Sequence, residues 1–291
     1  MSRRTGGGGA GLWWLPAAAA GLLALTVGWA HYVEPRRLEL SSWEIPLEGL
    51  TAANEVTLLH LTDLHAGSLP FSPQHLIAAL GSEALGAQVL CLTGDFCDRA
   101  DEVQRVEPVL GALLHAMALQ GGRPVQALAV WGNHDRRAGL KALAAVLTRL
   151  GVRVLDNAAV ELPGGLWVAG VGDPATRQDR LATALAAVPP GRPFILLAHS
   201  PSIFARAAAA GVPLTLAGHT HGGQVRFLGL QNLTSHRDGS RPYSAGGWYR
   251  RGEQAMFVNR GVGTTFLPLR LNARPEAAVI RLRADPGPHP A

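Results

Sequence analysis

Val125-Gln126-Ala127-Leu128-Ala129-Val130-Trp131 runs directly into Gly132-Asn133-His134-Asp135, and this stretch decides the fold. Seven mostly apolar residues that stop at a glycine read as a buried strand, too short for a core helix. The polar cluster at its end is a loop, and residues 138–150 beyond it are Ala/Leu-rich with apolar residues at helical spacing. The unit strand, polar loop, helix recurs along the chain. Further apolar runs cover residues 56–61, 89–93, 166–171, 194–198, 214–217, 257–259 and 277–282, and further helical patterns cover 73–85, 103–119, 177–187 and 202–210. Such alternation predicts an α/β fold whose sheets are covered by helices, with functional loops at the carboxyl ends of the strands. The final third loses its helices and reads as strand and loop.

Five polar clusters sit at the ends of these runs: Asp63-Leu64-His65, Gly94-Asp95, Gly132 to Asp135, His199, and Gly218-His219-Thr220-His221-Gly222-Gly223. Each has an ordinary explanation alone, His199 as a satisfied core histidine and Gly-Asn-His-Asp as a turn. Their conjunction does not. Carboxylates, imidazoles and one amide carbonyl, with no thiolate, form a donor set suited to borderline divalent cations. Asp63 and His65, like His219 and His221, are two residues apart, which in an extended backbone puts both side chains on one face.

These five clusters, in this order, resemble the signature of the calcineurin-like metallophosphoesterases over roughly residues 55–283. The Gly218–Gln224 stretch, Glu34-Pro35 and Asn259-Arg260-Gly261-Val262-Gly263 are similar to the membrane-tethered YaeI- and YkuE-like subgroup. The resemblance implies an α/β (α+β) four-layer sandwich of two mixed β-sheets flanked by helices, of the metallo-dependent phosphatase type. It also implies two divalent metal ions, Mn²⁺ first, with Fe, Zn, Co or Ni as alternatives. Asp63, His65, Asp95 and His221 would hold one; Asp95, Asn133, His199 and His219 would hold the other. Asp95 would bridge them. Two such ions, about 3.5–4 Å apart, supply hydroxide at neutral pH for in-line attack on a phosphomonoester, phosphodiester or pyrophosphate. By the same resemblance His134 assists the leaving oxygen, Asp98 is its partner, and Arg99 is a phosphate-binding candidate, with a solvated Asp98–Arg99 pair as the alternative. Asp135 is expected to brace the turn. A lipid-linked substrate such as UDP-2,3-diacylglucosamine follows by analogy within the superfamily.

The 291 residues are 47% hydrophobic and 16% charged, enough apolar material for a large core and against disorder. A net charge of +5 suits an anionic partner, but the basic residues are scattered, so no specific nucleic-acid binding is expected. Two cysteines, Cys91 and Cys97, exclude a disulfide scaffold; Cys91 reads as a small buried hydrophobe and Cys97 as a neighbour outside the ligand set.

Residues 1–35 are expected to be a membrane anchor or signal segment, 36–54 a connecting segment, 55–283 the catalytic domain and 284–291 a flexible tail. Between Thr5 and Val33 there is no charged residue, and residues 12–30 approach the roughly 20 needed to span a bilayer. Trp13, Trp14 and Trp29 suit an interfacial belt, which makes residues 11–33 the membrane contact and the cell membrane the location. Arg3 and Arg4 with the small pair Gly28 and Ala30 fit a cleaved signal peptide instead. Residues 222–252 form a long loop rich in Gly, Arg and aromatics, including Arg226, Arg237, Arg241, Tyr243, Trp248, Tyr249, Arg250 and Arg251, suited to closing over substrate or meeting a membrane. Two other functions compete: a membrane-anchored metal-dependent binder of an anionic lipid or glycan without turnover, and a serine hydrolase using Ser200 or Ser202. The second lacks the Gly-x-Ser-x-Gly turn.

Overall fold

A computed structural model of the chain describes residues 14–227, 230–231 and 238–285. Arg3, Arg4, Trp13, Arg237 and the tail from 286 lie outside the described residues. In chain order the strands are β1 Glu39–Leu47, β2 Val56–Leu61, β3 Val89–Leu92, β4 Gln126–Ala129, β5 Val152–Val154, β6 Ala158–Glu161, β7 Trp167–Gly170, β8 Phe194–Leu197, β9 Leu214–Ala217, β10 Arg226–Phe227, β11 Leu230–Gln231, β12 Gly247–Arg251, β13 Gln254–Val258 and β14 Glu276–Ala284. The helices are α1 Trp14–Gly28, α2 Pro73–Leu85, α3 Val103–Gly121, α4 Asn133–Ala138, α5 Leu140–Arg149, α6 Leu181–Ala186 and α7 Phe204–Ala209.

Two mixed six-stranded sheets carry the fold. The first has the order β1-β14-β2-β3-β4-β5 and the second β12-β13-β9-β8-β7-β6. Strands β2 to β5 run parallel, as do β7, β8, β9 and β13, while β14 pairs antiparallel with β2 and β12 and β6 close the second sheet antiparallel.

The period-two alternation of a strand assigns each residue to one of two cores. Leu58, Val89, Cys91 and Leu128 of the first sheet face Val168, Ile195, Leu197, Leu216 and Phe257 of the second, forming the layer between the sheets. Their neighbours Leu59, Leu61, Leu90, Leu92 and Ala129 point outward onto α2, α3 and α5 through Leu76, Leu80, Val106, Leu110 and Leu147. On the other side Ala169 and Leu196 pack on Ala184 and Ala207 of α6 and α7. Each buried Leu or Ile contributes roughly 1.5–3 kcal/mol. The result is helix, sheet, sheet, helix, the four-layer sandwich the resemblance implied.

Several elements differ from the sequence reading. The stretch 36–54 contributes β1, a nine-residue edge strand parallel to β14 from Glu39↔Glu276 to Leu47↔Ala284. Its serines and glutamates hid it, because an edge strand leaves much of its surface in solvent. The helix expected over 138–150 is two helices broken at Gly139, the first opening at Asn133. The long loop 222–252 carries β12 and the β10–β11 pair.

The N-terminal helix continues from α1 through a π turn and a 3₁₀ turn, so that 22 residues, Leu15–Arg36, form one rod. Leu22, Leu23 and Leu25 are exposed. Among the described residues it is the one helix long and apolar enough to cross a membrane, a test that signal sequences also pass. Its base is docked. Ala30 and Glu34 are buried, the Ala30 carbonyl accepts from the Arg270 N–H at 2.9 Å, and the Glu34 carboxylate accepts from Ala273 N at 2.8 Å and Trp29 Nε1 at 3.1 Å.

Candidate metal centre

The five clusters converge where the carboxyl ends of β2, β3 and β4 meet those of β8 and β9. Asp63, His65 and His221 present ligand atoms within 4.8 Å of one another, as do Asp95, His199 and His219. All six are buried. Asn133 joins the second group, its Oδ1 lying 3.1 Å from His199 Nε2. Each group draws on both sheets.

The hydrogen bonds around these groups turn their nitrogen and oxygen atoms toward one another. Asp63 Oδ2 accepts from Thr62 Oγ1 at 2.8 Å and His219 N at 2.9 Å, while Asp63 Oδ1, fully buried, has no hydrogen-bond partner. That oxygen faces His221 Nε2 at 3.4 Å and His65 Nε2 at 4.0 Å, and the two Nε2 atoms stand 3.2 Å apart. In the second group His199 Nδ1 lies 2.7 Å from the Thr93 carbonyl, which makes it a donor and turns Nε2 toward Asp95 Oδ2 at 3.2 Å and His219 Nδ1 at 3.1 Å. Asp95 Oδ2 lies between the groups, also 3.8 Å from His65 Nε2. Acceptors gathered this closely in a dry interior require positive charge among them.

The ionisation tendencies agree. Burial disfavours a charged His199 ring, yet Asp95 and the carboxylates beyond it outweigh this and hold its pKa well above the ordinary value. Burial likewise opposes charge on His65, but the Asp98 hydrogen bond and the Asp95, Asp98 and Asp63 carboxylates raise it. His221 is driven well below its usual value by burial, with the His65 ring and the Arg270 guanidinium adding to the effect, so it stays neutral and keeps a lone pair for a cation. Asp95 is raised by burial and lowered more strongly by His199, His134 and His65, ending well below a free carboxylate.

Close approach and unusual backbone build the cluster. Asp63, His65, Asp95, His219 and His221 all have positive φ, from 40° to 73°, a region costing on the order of 1–2 kcal/mol per non-glycine residue. Gly132 and Gly218 are fixed by contact: a Cβ on Gly132 would lie 2.1 Å from Asp95 Oδ1, and one on Gly218 2.5 Å from Asp63 Oδ2. Asp135 braces the turn, its carboxylate accepting from Asp95 N, Phe96 N and Gly132 N at 2.7–2.9 Å. Burial and the Asp95 charge push its own pKa up to about 7.

His134 stands at the rim, its side chain 11% exposed, with Nδ1 2.5 Å from Asp98 Oδ1 and Nε2 4.0 Å from Asp95 Oδ2. The same Asp98 oxygen takes His65 Nδ1 at 3.0 Å, so one carboxylate orients two rings. Arg99 is apart from this arrangement. Its side chain is 71% exposed and pairs with Asp101 at 2.9 Å. Cys97 is buried near the site with its thiol pushed up to about 12, chiefly by burial, and takes no place among the ligands. Among the described residues Ser200 hydrogen-bonds Asp238, Ser240 and Ser202 rather than a histidine, which disfavours the serine-hydrolase alternative.

Two contributors were missed by sequence reasoning. Asp238 Oδ2 sits 3.3 Å from His219 Nε2 and also accepts from the Ser200 and Ser240 hydroxyls, fixing which edge of the His219 ring faces the second group. Arg270, fully buried, bonds five backbone carbonyls, those of His221, Arg260, Gly261, Gly263 and Ala273. Asp238-Gly239-Ser240 reads as any surface turn, and Arg270 as any of many arginines, so neither carried a signal.

The sandwich and its buried His/Asp clusters, consistent with a dinuclear metal site, define a metal-dependent phosphoester hydrolase. The calcineurin-like phosphoesterase family matches residues 56–223, and the chain belongs to that family. It is similar to the phosphodiesterase YaeI of Escherichia coli (strain K12), 31% identical over 274 residues, covering 88% of this chain and 92% of that one. It is also similar to two uncharacterized metallophosphoesterases of Bacillus subtilis (strain 168). YkoQ is 27% identical, covering 79% of this chain and 84% of its own, and YkuE is 27% identical, covering 92% and 94%.

Proposed function

We propose that the protein hydrolyses a phosphoester or phosphoanhydride bond of a lipid-linked substrate, UDP-2,3-diacylglucosamine being one example, while residues 1–35 anchor it to a membrane. The catalytic domain then comprises residues 55–283 with β1 added. The observation that carries the hydrolytic reading is the position of Asp95 Oδ2, 3.8 Å from His65 Nε2 and 3.2 Å from His199 Nε2, the place of a carboxylate shared by two cations.

Asp63, His65 and His221 would hold one ion, and Asn133, His199 and His219 the other. The orphaned Asp63 Oδ1 supports this fit. Imidazole, carboxylate and amide donors favour Mn²⁺ first, with Fe, Zn, Co or Ni as alternatives. When bound, such a pair supplies hydroxide at neutral pH and neutralises charge on the phosphoryl oxygens. His134 is placed to assist the departing oxygen at the rim: Asp98 holds its Nδ1, which leaves Nε2 as the ring atom that would deliver a proton there. Asp98 stays ionised, because hydrogen bonds from His134 and His65 overcome the effect of its burial. A non-catalytic binder has no use for this pair, which disfavours the metal-dependent binding protein.

YaeI is named a phosphodiesterase, so a diester is the first substrate to try. Purified protein stripped with EDTA is expected to lose turnover of bis(p-nitrophenyl) phosphate and to recover it on addition of Mn²⁺. Turnover that survives chelation unchanged, or none under any divalent cation, would end the hydrolytic reading.

A further inference from the structure

The rim of the site carries an apolar tip that its reaction does not explain. Phe266, Leu267 and Pro268 are exposed, Phe266 at 82% and Leu267 at 52%. This is not a slack loop. Gln224, three residues after His221, clamps it from the ligand side: its Nε2 donates to the Thr265 carbonyl at 2.8 Å and the Leu267 carbonyl at 2.9 Å, and its Oε1 accepts from Thr265 N at 2.9 Å. Arg270 locks it from beneath through the Gly263 and Ala273 carbonyls. Phe266 itself has φ +59°, a strained conformation for a bulky residue that the clamps hold in place.

The same loop joins two other parts of the molecule. On one side the Phe266 ring lies 6.1 Å, edge to face, from the His134 ring. On the other it meets the end of the apolar N-terminal rod, where His31 Nδ1 is 3.0 Å from the Pro268 carbonyl and Arg270 N donates to Ala30. Exposed Trp29, Tyr32 and Val33 therefore continue into the exposed tip. Exposed Arg36 and Arg37 follow, with Arg37 stacked 5.6 Å over the Trp29 ring. Apolar surface, then aromatic rings, then arginines is the order in which a bilayer presents hydrocarbon, interface and anionic headgroups.

Resting on the anchored-hydrolase reading above, we propose that the Phe266–Leu267 tip dips into the bilayer beside the anchor. It thereby turns the mouth of the metal centre toward the membrane surface, so that the phosphoryl group within reach of His134 is that of a lipid still resident in the membrane. The anchor, docked on the domain at its base through Ala30 and Glu34, gives one fixed point of contact with the membrane. The tip supplies a second, fixed point of contact, and two points define an orientation.

The test uses the full chain in vesicles of phosphatidylethanolamine and phosphatidylglycerol. Leu267→Cys carries an environment-sensitive fluorophore, and Leu119→Cys, also exposed, on α3, is the reference; Cys91 and Cys97 are fully buried and do not compete for label. The probe at 267 is expected to be blue-shifted and quenched by lipids bearing a nitroxide near the headgroup, and the probe at 119 to behave as in water. In the unlabelled Leu267→Asp variant, the ratio of turnover of a vesicle-embedded lipid to that of bis(p-nitrophenyl) phosphate is expected to fall roughly tenfold or more, the equivalent of one leucine's transfer out of hydrocarbon. A water-like probe at 267 with normal turnover of the soluble diester overturns the proposal and leaves the hydrolase standing. Failure of the chain to stay with the vesicles also overturns it. Absence of metal-dependent turnover strikes the hydrolase reading alone, since the probe still reports whether the tip is in lipid.

Discussion

Replacing Gly132 by alanine adds one carbon atom to the chain at the most crowded point of the metal centre. That atom would sit 2.1 Å from Asp95 Oδ1 and 2.5 Å from Asp95 N, where ordinary contact begins at 3.4 Å. Asp95 cannot rotate away cheaply. Its Oδ1 accepts from His134 N at 2.9 Å, its own N–H is held by Asp135, and its Oδ2 faces both histidine groups. Relief therefore requires a relative shift on the order of 1 Å between the Gly132 turn and the Asp95 loop, a misplacement that costs about 100-fold in rate when it falls on a catalytic constellation. We expect Gly132→Ala to fold, to lose about 100-fold or more in kcat on bis(p-nitrophenyl) phosphate, and to retain less than a full complement of ions by elemental analysis. The measurement pairs kcat with ion content and a melting curve. Near-normal kcat with both ions in place would refute the reasoning, because it would mean that Asp95 does not need its present position.

Three further outcomes follow from the same geometry. His134→Ala keeps both ions and slows turnover by roughly 10²–10⁴-fold, the usual range for a lost proton donor; loss of the ions in elemental analysis would instead make His134 a ligand. Asp238→Ala removes the carboxylate beside His219 Nε2 and weakens binding at the second group by about 10–100-fold, as such outer partners typically do, so an unaltered Mn²⁺ titration would remove Asp238 from the site. His60, buried between the sheets with Nε2 2.8 Å from Thr93 Oγ1, has its pKa lowered by burial to about 3 from 6.5. The unfolded chain thus binds a proton there between pH 6.5 and 3 that the folded chain refuses, and this stability is complete above pH 6.5 and lost as pH falls. Between pH 6.5 and 5 the loss from this residue is ~2 kcal/mol, and His60→Leu should show a correspondingly flatter acid limb in urea melts; equal slopes would show that His60 charges freely in the fold.

What could be read in the sequence was what repeats with a period. Strands β2 and β9 and helix α2 matched their apolar runs to the residue, because the strands are mostly apolar with a break at either end and α2 alternates between core and solvent at helical spacing. The buried His and Asp clusters were legible for a related reason: rare residue types stood at the ends of such runs. Elements that lie at sheet edges left weaker marks. Ser41, Ser42 and Glu44 of β1 gave no apolar pattern, yet the strand is held to β14 over nine register pairs. Arg99 shows the opposite case, since a motif carries residue types but not where they point, and its guanidinium pairs with Asp101 in a largely exposed position. Asp238 and Arg270 act through side chains that reach across the fold, and no local spacing encodes a distant contact.

The sandwich itself is a condition for binding cations. The first group takes Asp63 and His65 from the first sheet and His221 from the second; the second group takes Asp95 and Asn133 from the first sheet and His199 and His219 from the second. Neither sheet alone carries a complete set. The seam is tight where they meet: His219 N donates to the Asp63 carboxylate, Gly218 N donates to the His199 carbonyl, and Gly218 has no room for a side chain against Asp63. A ligand that binds only the folded state stabilises it by about 2.7 kcal/mol at 100 times its Kd, and here that gain acts across the sheet-to-sheet interface. Arg270 does related work from beneath, gathering the His221 and Gly261 carbonyls around one guanidinium while its charge lies within range of Asp63. The strained left-handed ligand residues are therefore held from three directions, by glycine contact, by backbone hydrogen bonds and by a buried cation of the chain's own. Such a site is shaped before any ion would bind, and on the proposed reading that rigidity is what would let it orient a phosphoryl group without rearranging at each turnover.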